Sequence, residues 1–333
     1  MNTNEIKLEG ASLSSELRLR PVKWSDLEAV AQLIYDVCAA DGDTSVAVTP
    51  EELKHEWETP DFTLERDAFL VETGDGRIVG FEEFNNGHAH AILHTDGYVH
   101  PDYKGRGIGT SLLRVIEVRA REEMALAEPD VRVSIRSGID NRDPASHDLH
   151  RNEGYQPLRY HWRMEIVLDG PPPEPKFPEG IELRPFIKGE HDVPVWQAQN
   201  EAFRDHWGSH DQTLEEWKRN RFDDPEFNPS LWAIAWDGDE VAGFSINRYR
   251  MGIGWIRSLG VRRPWRKRGL GEALLYTSFG EFYRRGMKTI GLGVDAQNPT
   301  GATRLYQKVG MYPASEFLTY EKELRPGRDI DEE

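Results

Sequence analysis

The chain has 333 residues, a length that suits two globular domains, and carries 41 basic against 58 acidic side chains, a formal charge of −17. This charge argues against nucleic acid or an anionic membrane as a partner and is compatible with cationic substrates such as amines. The single cysteine, Cys38, excludes an intramolecular disulfide and a multi-thiolate metal site. No apolar run reaches ~18–20 residues, so we expect a cytoplasmic protein.

Apolar periodicity predicts the elements of the first half of the chain. In order, they are a strand, two helices, three strands, a helix, a strand, a short helix and a closing strand. Their ranges are 16–22, 25–38, 50–57, 68–72, 78–84, 91–99, 107–125, 131–139, 145–152 and 160–168. The second half repeats this order over 181–186, 193–204, 214–220, 232–236, 241–249, 255–261, 269–285, 289–294, 300–309 and 317–322.

Four short sequence markers recur in the same order at nearly one spacing, which indicates a tandem duplication. They are Arg20-Pro21 with Arg184-Pro185, the run 104–109 with 266–271, Asn141 with Asn298, and Gly154 with Gly310. We therefore predict a first domain at 15–168, a proline-rich, semi-rigid linker at 169–180 and a second domain at 181–325. Three strands followed by strand–helix–strand–helix–strand predict a mixed sheet with helices on both faces, formed twice.

A glycine-rich run lies between an apolar strand and a helix in each half, with Gly107 and Gly109 in the first and Gly269 and Gly271 in the second. Such a loop leaves several backbone N–H groups without partners at a helix N-terminus, an arrangement suited to a phosphate or pyrophosphate. A flexible turn that caps the helix is the structural alternative. The spacing fits neither the dinucleotide-binding fingerprint nor the nucleotide-triphosphate loop.

These runs, with the residues around them, resemble the GNAT superfamily of N-acetyltransferases. That pattern has a strand ending in apolar-x-Val, then Arg/Gln-x-x-Gly-x-Gly/Ala and a helix, and about thirty residues later Asn and Ala-x-x-Leu-Tyr-x-x-x-Gly-Phe. In the second half the matching residues are Leu259, Gly260, Val261, Arg266, Gly269, Gly271, Asn298, Ala302, Leu305, Tyr306, Gly310 and Met311. In the first half they are Gly97, Tyr98, Val99, Lys104, Gly107, Gly109, Asn141, Leu149, His150, Gly154 and Tyr155. The tandem layout is also similar to that of the mycothiol synthases.

The resemblance implies an α+β fold with two tandem domains, each a mixed, mainly antiparallel sheet of six to seven strands flanked by about four helices. It also implies acetyl-CoA as the acyl donor, direct attack of an amine on the thioester, and Tyr306 as the general acid. Tyr306 packing at the edge of the core is the structural alternative, and Asn298 either supports the cofactor or caps its turn. The implied cofactor-binding residues are Leu259, Gly260, Val261, Arg266, Lys267, Arg268, Gly269, Leu270, Gly271, Asn298, Tyr98, Val99, Lys104, Gly105, Arg106, Gly107, Ile108 and Gly109.

The first half departs from this pattern at two positions. Lys104 replaces the usual Arg or Gln, and His150 stands where the acid tyrosine is expected. We therefore expect the chemistry in the second half, with a first half that binds CoA poorly or acts as a scaffold. If the first half retains activity, His150 is its acid candidate.

The attacking amine must lose a proton, so a base or a water relay is required. Glu201, in the region that frames the acceptor pocket in this superfamily, is the first candidate, and Asp295 is the second. A solvated helix end is the structural alternative for Glu201. His88 and His90 form a His-x-His pair, but no thiolates accompany it, so we predict a polar strand face and no metal.

Several functions remain open at this stage. The acceptor is a small-molecule or peptide amine, and a mycothiol-synthase-like or aminoglycoside-type acetyltransferase fits the same pattern. A non-catalytic acyl-CoA-binding or sensing protein is the alternative from another class. The protein is predicted to be a monomer or homodimer, with neither nucleic acid nor membrane as partner.

Overall fold

A computed structural model describes residues 13–298 and 300–330, which pack as two compact units. The first unit contains the chain up to Arg159 together with the residues from Phe317 onward, and the second contains Tyr160–Glu316. Among the described residues, no helix has the combined length and apolarity needed to cross a bilayer.

Within the described residues, the N-terminal segment of the first unit holds five strands and five α-helices. The strands are β1 (Leu17–Pro21), β2 (Ala68–Thr73), β3 (Ile78–His88), β4 (Ile92–Val99) and β5 (Val133–Asp140). The helices are α1 (Leu27–Ala40), α2 (Pro50–Trp57), α3 (Leu64–Asp67), α4 (Ile108–Glu123) and α5 (Pro144–Asn152). The strands lie in the order β1-β2-β3-β4-β5, antiparallel except for the parallel pair β4–β5.

The second unit repeats this plan. Its strands are β6 (Gln156–Val167), of which the part from Tyr160 belongs here, β7 (Ile181–Arg184), β8 (Ala233–Asp237), β9 (Glu240–Arg250), β10 (Ile253–Val261), β11 (Thr289–Asp295) and the start of β12 (Tyr312–Arg325). The helices are α6 (Asp192–Phe203), α7 (Leu214–Phe222), α8 (Leu270–Arg284) and α9 (Ala302–Lys308). The order is β7-β8-β9-β10-β11-β6, antiparallel except for the parallel pair β10–β11.

Helices cover both faces of each sheet, as predicted. In the first unit, neighbouring residues of β3 face opposite ways: a side chain at Gly80 would touch Ile108 of α4, whereas Phe81 packs 6.2 Å from Trp57 of α2. In the second unit, Gly243 of β9 lies against α8 in the same manner, and the next residue, Phe244, packs against Phe203 at the end of α6. The predicted mixed α+β class is confirmed.

The sixth strand of each sheet comes from the other repeat. Phe317–Arg325 of β12 pairs with β5, from Phe317↔Asp140 to Arg325↔Val133. His161–Val167 of β6 pairs with β11, from His161↔Asp295 to Val167↔Thr289. The sequence-based boundaries assign 160–168 to the first domain and 317–322 to the second, so the packed units differ from them in these two strands. Periodicity identifies a strand but does not identify its partner, which explains the difference.

Candidate active site

The two parallel strands of the second unit separate after a short contact. β10 and β11 pair at Gly254↔Ile290 and Trp255↔Gly291. Beyond these pairs β10 continues along β9 as far as Val261, while β11 continues along β6 to Asp295. The Trp255 ring lies where a side chain on Gly291 would stand, at 2.8 Å, so this position accepts only glycine. A cavity of about 560 Å³ opens between the divergent ends of the strands.

The glycine-rich loop before α8 forms one wall of this cavity. Lys267 and Gly269 have left-handed φ of +61° and +85°, and turns that contain such residues form concavities lined by backbone N–H groups. Within the described part of the chain, the N–H groups of residues 267–271 donate to no protein acceptor. A side chain on Gly269 would meet nothing within 4 Å, so this side of the loop is open. The loop can therefore accept an anion.

The basic side chains of the loop divide into two roles. Arg266 is fixed by the protein: Nε donates to the carbonyl of Val261 at 3.0 Å, and the guanidinium pairs with Asp205 at 2.8 Å. Lys267 and Arg268 are exposed and form no ion pair with any described residue. Arg266 thus anchors the loop to the end of β10. Lys267 lines the cavity and can contribute charge to a bound anion, whereas Arg268 is not among the lining residues.

Tyr306, on α9, also lines the cavity. Its side chain is 7% exposed and packs in the apolar core, and its hydroxyl has no hydrogen-bond partner among the described residues. Burial raises the pKa of Tyr306 to about 12, because the phenolate would lose its hydration. The phenol therefore stays protonated at neutral pH and can donate a proton.

Asn298 and Asp295 line the cavity where β11 ends. Asn298 Oδ1 accepts hydrogen bonds from the Thr300 amide at 2.8 Å and the Thr300 hydroxyl at 2.5 Å, so this side chain caps its turn. Asp295 Oδ1 accepts from the Gln297 amide at 2.8 Å. Of the two roles expected for Asn298, the structure contains the cap, and the cofactor contact stays a prediction.

Glu201, the first base candidate, lies outside the residues that line the cavity. Its carboxylate accepts from Arg262 Nε at 2.7 Å. His206, three residues past the end of α6, lines the cavity instead. The sequence assigned His206 no separate role, because the local pattern does not show which of the polar residues after α6 faces the cavity.

The first unit contains a counterpart of this cavity, about 770 Å³ in volume. β4 and β5 pair from Ile92↔Ser134 to Thr95↔Ser137 and then separate, so that Tyr98 and Val99 line the opening. Gly105 and Gly107 both have φ of +78°. Within the described residues, the N–H groups of 105–109 donate to no protein acceptor. Both glycine-rich runs therefore have the open amides that an anion site requires.

The residue equivalent to Asn298 in the first unit is Asp143, and the pairing of Asn141 with Asn298 is wrong. The Asp143 amide donates to the carbonyl of Asp140 as the Asn298 amide donates to that of Asp295, and each of the two side chains caps the following turn. Between this position and the residue equivalent to Tyr306 the second unit has one residue more than the first, before α9, and this offset hides the match in the sequence. The carboxylate at this position pairs with Lys104 at 3.0 Å, which neutralises a cation expected at the phosphate site.

The two cavities differ in charge. Two acidic and three basic side chains line the second cavity, excluding histidine. Eight acidic side chains and only Lys104 and Arg142 as bases line the first. Glu82 is one of the eight, and sequence reasoning missed it although two acids interrupt an apolar strand there. Burial raises the pKa of Glu82 to about 8, opposed by a hydrogen bond from the Thr95 hydroxyl.

His150 occupies the place of Tyr306 in the first unit and lines its cavity. Its Nδ1 lies 2.8 Å from the carbonyl of Ser146, so this nitrogen carries the proton of the neutral ring. Burial lowers the pKa of His150, which keeps the ring neutral. The second nitrogen, Nε2, is then a proton acceptor, so an acid role would require the charged form that burial opposes.

The remaining histidine candidates do not combine into a metal site among the described residues, where no group of three or more ligating side chains occurs. His90 Nδ1 instead lies 2.6 Å from Glu123, and the Asn86 side chain accepts from the His90 amide. His94 and Asp96 lie on β4 with Tyr98, whose hydroxyl donates to Asp96 at 2.9 Å. The predicted polar strand face is therefore limited to β4, because His88 ends β3 and His90 lies in the turn between the two strands, with φ of +59°.

Comparison with known proteins agrees with this architecture. Residues 193–311 match the acetyltransferase (GNAT) family, and residues 65–157 match an acetyltransferase (GNAT) domain. A mycothiol acetyltransferase of Thermobispora bispora is 34% identical over 221 residues, which cover 64% of this chain and 70% of the relative. The mycothiol acetyltransferase of Salinispora arenicola is 31% identical over 267 residues, which cover 76% of this chain and 80% of the relative.

Solved structures extend the match to nearly the whole chain. A GCN5-related N-acetyltransferase from Sphaerobacter thermophilus has a TM-score of 0.81 and 36% identity, and covers 96% of this chain and 99% of that one. A tandem GNAT protein from the clavulanic acid biosynthesis pathway shares the fold, with a TM-score of 0.71 at 18% identity over 94% of this chain and all of the other.

In each of the two repeated sheets, a pair of parallel strands separates beside a loop whose backbone N–H groups are unpaired among the described residues. This arrangement defines a tandem GNAT architecture. The chain belongs to the GNAT acetyltransferase family. It is an N-acetyltransferase.

Proposed function

We propose that the second unit transfers the acetyl group of acetyl-CoA directly to a primary amine. The observation that carries this proposal is the opening between β10 and β11 beside the free amides of residues 267–271. Five unpaired N–H groups at the start of α8 suit the diphosphate of CoA, and the backbone of β10 up to Val261 has polar groups for the pantetheine amides. Lys267, which lines the cavity, supplies compensating charge.

Tyr306 is the general acid in this proposal. When the amine nitrogen attacks the thioester carbonyl, the C–S bond breaks and the sulfur leaves as a thiolate, whose conjugate acid has a pKa of ~8.5 in cysteine-like thiols. The Tyr306 hydroxyl, with its pKa raised to about 12 by burial, holds its proton at neutral pH until such a base forms beside it. Its hydroxyl is free to donate because no described residue accepts from it.

The charge of the two cavities supports a catalytic second unit. A diphosphate in the first cavity would meet seven acidic side chains besides Glu82, whose raised pKa keeps it protonated at neutral pH, and Lys104, which could offset them, already pairs with Asp143. His150, held with Nε2 as an acceptor, cannot replace the phenol of Tyr306 without a charge that burial opposes. The first unit is therefore a poor CoA site and serves as a scaffold.

The acceptor is a small-molecule amine in this proposal. Relatives about 30% identical bear the name mycothiol acetyltransferase, which favours a mycothiol-related amine as the first compound to test. Aminoglycosides and simple primary amines complete the panel.

The test measures CoA released from acetyl-CoA in the presence of each amine, by chromatography so that thiol-containing acceptors do not interfere. Tyr306→Phe should lower kcat by about 10²- to 10⁴-fold with unchanged acetyl-CoA affinity, because only proton donation is lost. Tyr276→Phe, on α8 and outside the cavity, is the matched control and should retain wild-type kcat.

Two outcomes would contradict the proposal at different levels. An unchanged kcat in Tyr306→Phe would remove this residue from the mechanism while leaving acetyl transfer intact. Acetyl-CoA binding without amine-dependent CoA release, across the whole panel, would instead favour a non-catalytic acyl-CoA-binding protein.

A further inference from the structure

His206 holds an unusual position among the polar residues that follow α6. The chain turns after Phe203, whose carbonyl accepts from the His206 amide at 2.8 Å, and the two rings lie 4.6 Å apart. This turn places the imidazole on the wall of the second cavity, which Tyr306, Val261 and Asp295 also line. Neither ring nitrogen of His206 has a hydrogen-bond partner among the residues that the structure describes.

The three acidic residues nearest to His206 along the chain are all held by arginines. Glu201 pairs with Arg262 at 2.7 Å, and Asp211 pairs with Arg204 at 2.5 Å. In each pair the arginine donates a hydrogen bond to a carboxylate oxygen, which is therefore occupied within the chain. At Asp211 the arginine also lowers the pKa of the carboxyl, which makes this group a weaker base.

Asp205, the immediate neighbour of His206, is bound by two arginines. Arg263 donates to one carboxylate oxygen and Arg266 to the other at 2.8 Å, and these bonds hold the pKa of Asp205 well below its usual range. None of Glu201, Asp205 and Asp211 lines the cavity. The imidazole of His206 is thus the base on this loop that is both unpaired within the described chain and directed at the cavity.

The surroundings of His206 keep its ring uncharged. Burial, and then the positive charge of Arg266, lower the pKa of His206, while the carboxylates of Asp205 and Asp295 act in the opposite direction with smaller effect. At neutral pH the ring is therefore neutral, with one nitrogen lone pair available. A neutral imidazole on a cavity wall is a competent general base.

We infer that His206 is the catalytic base of the second unit and takes the proton that the acceptor amine must lose. This inference rests on the proposed acetyl transfer. The amine nitrogen forms a bond to the thioester carbonyl carbon and its N–H proton passes to the free nitrogen of His206. As the C–S bond breaks, the thiolate takes the hydroxyl proton of Tyr306. The imidazolium then returns its proton, through water in the cavity, to the phenolate, which restores both groups.

The test compares His206→Gln with His210→Gln, a histidine on the same loop that does not line the cavity. His206→Gln should lower kcat about 10²- to 10⁴-fold at pH 7, with acetyl-CoA affinity unchanged. It should also abolish the acid limb of the kcat–pH profile, which the wild type and His210→Gln should both retain, with an apparent pKa below 6.5. A merely structural role for His206 would change affinity or thermal stability and leave this limb in place.

A second measurement does not depend on the acceptor. In proton NMR, the resonance of the His206 imidazole Cε1 proton can be assigned by its loss in His206→Gln. Its chemical shift should titrate below pH 6.5 and should change when acetyl-CoA is added. If wild type and Tyr306→Phe behave as proposed but His206→Gln turns over normally, the assignment of His206 is overturned while acetyl transfer stands. If no amine releases CoA from the wild type, both the proposed function and this inference fail together.

Discussion

Gly269 is the position at which the proposed diphosphate site can be tested most sharply. Its φ is +85°, a left-handed conformation that costs an L-residue about 1–2 kcal/mol. Gly269→Ala should therefore destabilise the second unit by this amount, equivalent to a loss of roughly 2–8 °C in Tm for a unit of this size. This part of the effect is independent of any ligand.

The second part of the effect is on binding. A Cβ at Gly269 meets no protein atom within 4 Å and so projects into the space where a phosphate would approach the amides. Losing one charge-assisted hydrogen bond costs about 1.5–3 kcal/mol, which corresponds to roughly 10- to 150-fold weaker binding of acetyl-CoA. Calorimetric titration with acetyl-CoA measures this loss directly.

Gly286→Ala is the matched control. Gly286 has φ of +84°, also has nothing within 4 Å of an added Cβ, and follows the C-terminal end of α8, outside the cavity. Both variants should lose similar thermal stability, but only Gly269→Ala should lose affinity. Equal affinities for acetyl-CoA in the two variants and the wild type would refute the assignment of the loop amides to the diphosphate.

Two further variants probe the first unit. Gly107→Ala, the counterpart of Gly269→Ala with φ of +78°, should leave the acetyl-CoA affinity and stoichiometry of the full chain unchanged; a loss of binding sites in calorimetry would show that the first cavity takes CoA. Glu82→Gln should reduce the pH dependence of stability. The pKa of Glu82 is raised to about 8, so between the ordinary glutamate range and pH 8 the folded state binds more protons than the unfolded state. The free energy of unfolding therefore falls as pH rises through this range, by up to about 1.4 kcal/mol per pH unit. Urea unfolding from pH 5 to 8 should show a shallower slope in the variant, and an identical slope would contradict the buried, protonated state of this carboxyl.

Much of each unit could be predicted from the sequence because the relevant signals are local. Helix α2 begins and ends where predicted, since Pro50 and the capping pair of Thr49 and Glu52 mark its start. Glycine spacing likewise identified the loop before α8, where Gly269 is the left-handed N-cap that only a residue without Cβ adopts readily. Both signals require only residues within one helical turn of each other.

The features that sequence reasoning missed depend on residues far apart in the chain. The sequence shows no partner for the Glu201 carboxylate near it in the chain. In the structure this carboxylate pairs with Arg262, 61 residues later, and lies outside the cavity lining. The equivalence of Asp143 with Asn298 became visible only through matching backbone hydrogen bonds to Asp140 and Asp295. Such pairings follow from the register of strands, which periodicity alone does not specify.

The exchange of closing strands affects the order in which the protein can be made. A growing chain supplies the second unit with β6 before most of that unit exists. The first unit, in contrast, must wait for Phe317–Arg325 to cover the exposed edge of β5. At about 5–20 residues per second, this delay after β6 is on the order of 10–30 s, during which an unpaired strand edge is open to chaperones and to other nascent chains. The N-terminal unit is therefore the last to be completed during biosynthesis.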